Sequence, residues 1–252
     1  LVHDYLNQYG GAERVLEVLC EMFPDAPIYT LLYDEKRSLG RFKNRVIKTS
    51  IFNTRLIRRN HRLFIPFMPI LIRLMKIPKE YDLVISDTAG FAKGVRYSKR
   101  SKHLCYCYTP LRYAWETDGY FNDSFDGARV FKSKLFRVVF KPLFLYVKRF
   151  DYLSSKKPDV MLAVSQFISK KIKVSFNREA EVLYPPVLDV FYSRDNLEKK
   201  DYYLVVGRML HYKRLDLVVR AFNQMPGKKL LVVGSGRDEV YLRSLITSRN
   251  IK

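Results

Sequence analysis

Two adjacent glycines, Gly10 and Gly11, separate the apolar stretch at Leu1 to Asp4 from a segment whose apolar residues fall at Ala12, Val15, Leu16, Leu19, Met22 and Phe23. That spacing is helical, so the pair is a glycine turn joining a strand to a helix. Such a turn lets the backbone reach a ligand without an intervening side chain, and the unpaired amides of the first helical turn favour a phosphate. A tight turn with no ligand accounts for the same pair. A second candidate is GRMLHYKRLD, where Gly207 and Arg208 leave the apolar run YYLVV and Lys213 and Arg214 follow. Cations at the carboxyl end of a parallel strand suit a diphosphate, Arg208 by forked hydrogen bonds and Lys213 as a point charge, stabilising a departing nucleoside diphosphate. A solvated basic loop is the alternative. In GSG, Gly234 and Gly236 again stand between a strand and a helix, but Glu239 occupies the third glycine position of a dinucleotide fingerprint. They form either a turn near a nucleotide or a turn alone, and hydride transfer is disfavoured. His3, at the strand end, either touches a ligand or serves the structure. Phosphate-loop, His-Glu-x-x-His and Asp-x-Asp patterns are missing from the sequence, so the chemistry is expected to need no metal and no cofactor.

Positioning these residues takes real cores, and 252 residues with 48% hydrophobic and 14% aromatic content supply them and exclude general disorder. Forty-six Lys and Arg against 25 Asp and Glu leave a net charge of +21, which calls for an anionic partner: nucleic acid, a phosphorylated ligand or a lipid surface. Cys20, Cys105 and Cys107 suggest neither a zinc site nor a disulfide framework, and fit a reducing compartment. Each long apolar segment is broken by Lys or Arg before the roughly 20 residues a bilayer span needs, and the opening LVHDYLNQYGGAERV has no secretory pattern. The sequence starts within a strand and stops within an α/β unit, as a fragment would.

Further α/β units follow the first: strands in YDLVISDTAG, KHLCYCYTP and DVMLAVS, a helix in QFISKKIKVSF, then EVLYPP. A parallel sheet joins them. Pro185-Pro186 and the charged stretch from Tyr192 to Asp201 separate this domain, residues 1–187, from a second at 188–252. There the pattern restarts with YYLVVG, RLDLVVRAFNQM, KKLLVVGSG and DEVYLRSLITS, the opening half of another doubly wound domain. Positions 36–79 hold thirteen Lys or Arg and no acidic residue, and RVFKSKLFRVVFKPLFLYVKRF holds seven and none. Both read as basic amphipathic elements for an anionic membrane face, or as helices on the sheet with a basic outer side.

Taken together, HDYLNQYGGAERVLE, CYCYTPLRYAWE, EVLYPPV and YYLVVGRMLHYKRLDLVVRAF resemble family 4 glycosyltransferases, most nearly the mannosyltransferases of O-antigen and exopolysaccharide assembly. The resemblance implies the α/β GT-B fold, with two Rossmann-like domains facing a cleft and the second incomplete here. The first domain would take the acceptor and the second a nucleotide-sugar, with retention at the transferred carbon. It implies that Gly10 and Gly11 approach the donor phosphates and sugar, that Arg208 and Lys213 neutralise the diphosphate, and that Gly234 and Gly236 lie near the nucleotide. The family reads Cys-Tyr-x-His-Thr-Pro where this chain has CYCYTP, so Tyr108 fills the position of the active-site histidine, and a phenol is a poor base near neutral pH. The family's paired-glutamate motif is expected past Lys252, so the fragment alone would be inactive. Thr109, Arg112, Tyr113 and Trp115 would line the acceptor side, with Arg112 suited to an acceptor pyrophosphate; packing and a surface cation are the plainer roles.

The resulting expectation is a hexosyltransferase, using GDP-mannose and a lipid-linked saccharide in surface polysaccharide (lipopolysaccharide) synthesis. It would be cytoplasmic and peripheral on the inner face of the plasma membrane, with no specific nucleic acid partner. The rivals are a non-catalytic basic module for membrane or nucleic acid, and a nicotinamide-dependent oxidoreductase.

Overall fold

A computed structural model describes residues 1–116, 134–187 and 200–252. The start of the second basic segment and most of the Tyr192–Asp201 stretch lie outside these residues, as do the side chains of Arg62, Tyr113 and 134–140. The chain divides into two compact units, Leu1–Val187 and Leu188–Lys252.

In the first unit the described elements run β1 (Val2–Leu6), α1 (Gly11–Met22), β2 (Ile28–Tyr33), β3 (Ile47–Thr49), α2 (Arg55–Asn60), a 3-10 stretch (His61–Phe67) and α3 (Met68–Leu74). They continue with β4 (Leu83–Thr88), a 3-10 turn (Ala92–Gly94), β5 (Lys102–Cys107), α4 (Arg112–Trp115), α5 (Lys134–Ser155), β6 (Val160–Ala163), α6 (Gln166–Phe176) and β7 (Glu181–Val182). All seven strands are parallel, in the order β3-β2-β1-β4-β5-β6-β7. Helix α1 forms because its apolar residues share one stripe; Val15, Leu16 and Cys20 are buried, and Leu16 and Cys20 pack with Leu6, Ile28 and Phe42. Ser165 caps α6 by accepting from the Ile168 amide at 3.3 Å, and Asn177, left-handed at φ 46°, ends it. The larger core joins β1, β2 and β4 to α2, α3 and α5.

Strands β2 and β3 are absent from the periodicity reading, which passes from the first helix to YDLVISDTAG. IYTLLY is buried at five consecutive positions, because β2 is covered on both faces; a strand of that kind shows no alternation. β3 is only three residues long and largely exposed.

In the second unit β8 (Tyr203–Val206) pairs in parallel with β9 (Leu230–Val233), and α7 (Leu215–Asn223) and α8 (Glu239–Ser244) complete it. Its core is Met209, Leu215, Val219, Phe222, Leu230, Leu242 and Ile251. Ile251 makes a parallel bridge to Leu230, extending the sheet beside β9.

Candidate active site

The strand order of the first unit reverses at β1, which has β2 on one side and β4 on the other. Open α/β sheets bind ligands outside the carboxyl ends of their strands at such a reversal. Gly10-Gly11 and the loop after β4 are the segments there, with Tyr108 one strand further on.

The β1–β4 register sets His3 beside Asp87. His3 Nδ1 hydrogen-bonds the Asp87 carboxylate, and its Nε2 lies 3.9 Å from Glu13 Oε1. All three residues are buried. Burial opposes a charge on the imidazole, but the two carboxylates outweigh it and hold the His3 pKa well above 6.5. Burial likewise pushes the Glu13 carboxyl up, and its hydrogen bond and attraction to His3 bring it back below the ordinary value. The other Glu13 oxygen accepts the Gly10 amide at 2.7 Å, the half of a capping box that a glycine N-cap permits. His3 therefore holds the glycine turn through Glu13. Both of its ring nitrogens face carboxylates, so His3 serves the structure of the turn.

Tyr108 enters the same cluster, its hydroxyl 3.0 Å from Asp87 Oδ2 and 3.3 Å from the Ala12 carbonyl. It has one proton to give, and the nearer, charged oxygen takes it. Burial, followed by the charge of Asp87, raises the phenol pKa, so Tyr108 stays protonated and acts as a donor, not a base. Asp4, next to His3 on β1, points to the other face. It accepts from Thr88 Oγ1 at 2.9 and 3.0 Å and from the amides of Ala89, Phe91 and Ala92 at 2.8, 2.8 and 2.7 Å. This carboxylate shapes the whole loop after β4.

Gly11 is exposed, and a Cβ added there would meet nothing within 4 Å. A Cβ on Gly10 would lie 3.2 Å from Glu13 Oε2. The fold thus uses Gly10 for its cap, whereas Gly11 leaves an open approach to the helix amides.

The segment after β5 is fixed from below by Lys93 and Asp151, both fully buried and 2.5 Å apart. Burial works against the Lys93 charge, but Asp151 raises its pKa above the ordinary value. Asp151 Oδ2 also accepts from the Leu111 amide at 3.1 Å and Trp115 Nε1 at 2.9 Å. Lys148 sits 4.3 Å over the Trp115 ring, and Phe176 is edge-on to it with centroids 5.9 Å apart, so Trp115 is packed at this turn. Arg112 Nε donates to Glu116 at 3.2 Å, and Glu116 also pairs with Lys171. Thr109 is half-buried between Tyr108 and this turn.

In the second unit Arg208 and Lys213 are exposed and meet at Tyr212: the Arg208 guanidinium is 3.3 Å from the hydroxyl, and Lys213 Nζ is 5.4 Å from the ring centroid. Arg214 instead pairs with Asp216 through both Nε and Nη2, at 3.0 and 3.1 Å. Gly234 has φ 149°, and a Cβ there would lie 1.9 Å from the Gly207 carbonyl oxygen; one on Gly236 would lie 2.2 Å from that of Met209. The contact of these two loops by itself requires both glycines.

Sequence reasoning did not assign roles to Asp4, Glu13, Asp87, Lys93 or Asp151. The available signal was the presence of ionisable residues inside apolar strands, VHDYL and LVISDT, which bury charge only when paired.

No family model and no curated protein matches the chain. Among solved structures, Anabaena HepE in complex with UDP and glucose is similar over the whole chain and 68% of its own, at 15% identity and a TM-score of 0.54. The apo form of the lipopolysaccharide outer core galactosyltransferase WaaB is similar over the whole chain and 67% of its own, at 16% identity and a TM-score of 0.48. The fold is GT-B. The chain spans about two thirds of each of these neighbours.

Proposed function

We propose that this chain belongs to a retaining glycosyltransferase that moves a hexose from a nucleotide-sugar to a lipid-linked saccharide in surface polysaccharide synthesis. The observation that carries the reading is the open Gly11 turn at the strand-order reversal, its neighbour Gly10 held by the buried His3–Glu13 pair. The fold shared with HepE, a protein solved with UDP and glucose, supports it.

In this reading Arg208 and Lys213, gathered on Tyr212, take the donor diphosphate without a metal or other cofactor. The first unit takes the acceptor, and its glycine turn is open to a ligand. The bond from the sugar carbon to the diphosphate breaks, the acceptor hydroxyl bonds to the same face of that carbon, and the hydroxyl proton passes to the departing phosphate. Tyr108 contributes a hydrogen bond and accepts no proton. Family 4 membership, GDP-mannose as donor and a place on the inner face of the plasma membrane follow from the sequence resemblance. The UDP in HepE favours a UDP-hexose as the second donor reading.

Calorimetric titration with GDP-mannose, GDP, UDP-glucose, UDP and NAD tests this. Saturable binding of one nucleoside diphosphate pair, weakened about tenfold in Arg208→Ala, is expected. Binding of NAD alone, or of no nucleotide, overturns the reading.

A further inference from the structure

The run from Arg55 to Leu74 carries two apolar stripes. Ile57, Ile65, Met68, Leu71 and Ile72 face inward and belong to the larger core. Leu56, Leu63, Phe67, Ile70 and Leu74, spaced at seven, four, three and four residues, face outward and are between 50% and 66% exposed. A helical run that is apolar on both sides, here α2, the 3-10 stretch and α3 in succession, needs covering on both sides. The sheet covers the first stripe. The second is too long and too regular to be scattered surface leucine, and Arg55, Arg59, Arg73 and Lys76, all exposed, flank it.

We infer that this outward stripe is the surface by which the chain seats on an anionic lipid bilayer. Charge selects the occupant. Thirteen Lys or Arg and no acidic residue lie between positions 36 and 79, so the segment itself carries one sign only, with Asp34 reaching it from the end of β2 to pair with Arg58 at 3.7 Å. Aliphatic and aromatic side chains along the middle would enter the acyl boundary while the long cationic ones reach head-group phosphates. Nucleic acid offers no apolar partner for a central row of Leu, Phe and Ile. The element lies on the surface without crossing: among the described residues no helix is long and apolar enough to span a membrane.

The inference uses this surface alone, and nucleotide titration without lipid judges the transferase reading separately. The test is co-sedimentation of the 252-residue chain with vesicles of phosphatidylglycerol and phosphatidylethanolamine, against vesicles of phosphatidylcholine alone. Binding to the anionic vesicles is expected, at least about tenfold tighter than to the neutral ones. The triple variant Leu63→Gln, Ile70→Gln, Leu74→Gln should lose at least about tenfold with an unchanged melting temperature, because all three side chains are already exposed. Arg55→Gln and Arg59→Gln should each lose about fivefold. The proposal is overturned if the chain stays in the supernatant or if the triple variant sediments like wild type. It is also overturned if light scattering shows a dimer that the triple variant dissolves, or if the arginine variants lose DNA binding while vesicle binding is unmoved.

Discussion

Replacing Gly11 by Ala separates a ligand-approach role from a purely structural one, because the two predict different pairs of results. Gly11 is the first residue of α1, and its missing Cβ would point into open space. Alanine there costs no contact and removes backbone freedom from the unfolded chain, a gain of about 0.5–1 kcal/mol. For a unit of this size that is a rise in melting temperature of roughly 1–4 °C. If the open space is where substrate meets the helix amides, the same methyl group blocks it, and nucleotide-sugar affinity should fall about tenfold or more, equivalent to about 1.4 kcal/mol. Scanning fluorimetry and calorimetric titration on one preparation read both quantities. Gly10→Ala is the control: its Cβ would press on Glu13 Oε2 at 3.2 Å, so stability should fall, not rise. A stabilised Gly11→Ala variant that binds nucleotide-sugar as well as wild type would refute the argument and leave the turn merely a turn.

Three other outcomes follow from the same structure. Lys93→Met strands a fully buried carboxylate and should cost about 3–5 kcal/mol in urea denaturation, while Lys93→Met with Asp151→Leu should recover part of that; equal loss in both would show that the pair is not coupled. Gly234→Ala must push its loop off the Gly207 carbonyl and should cost about 2 kcal/mol or more, read by hydrogen exchange at the β8 and β9 amides; unchanged protection contradicts the close approach. Since the folded pKa of His3 is raised, its stabilisation is full below about pH 6.5 and is lost as pH rises through the folded value. His3→Gln should therefore flatten the decline of stability with rising pH, and parallel slopes in the two proteins would show that the imidazole stays uncharged.

Apolar runs bounded by glycine or proline made β1, β4, β5, β6, β8 and β9 legible, and helical spacing did the same for α1, α6 and α7. β2 was hidden for the opposite reason, since complete burial erases the alternation that marks a strand. At the site, glycines and cations were legible because their types are unusual at strand ends. The carboxylates were not: Asp4 and Asp87 stand inside apolar strands, but only the parallel register shows which partners each one meets. Gly234 and Gly236 show the converse, a visible motif whose glycines the packing of two loops already requires.

His3 and Asp4 are consecutive on β1, yet one is committed to Asp87 and the other to the amides beyond Thr88. A slip of β1 by one residue against β4 would set the Asp4 carboxylate across from that of Asp87, two buried negative charges with no imidazolium between them. Charge thus proofreads the alignment of the central strand. A chain misassembled by a single step would have to bury like charges against each other.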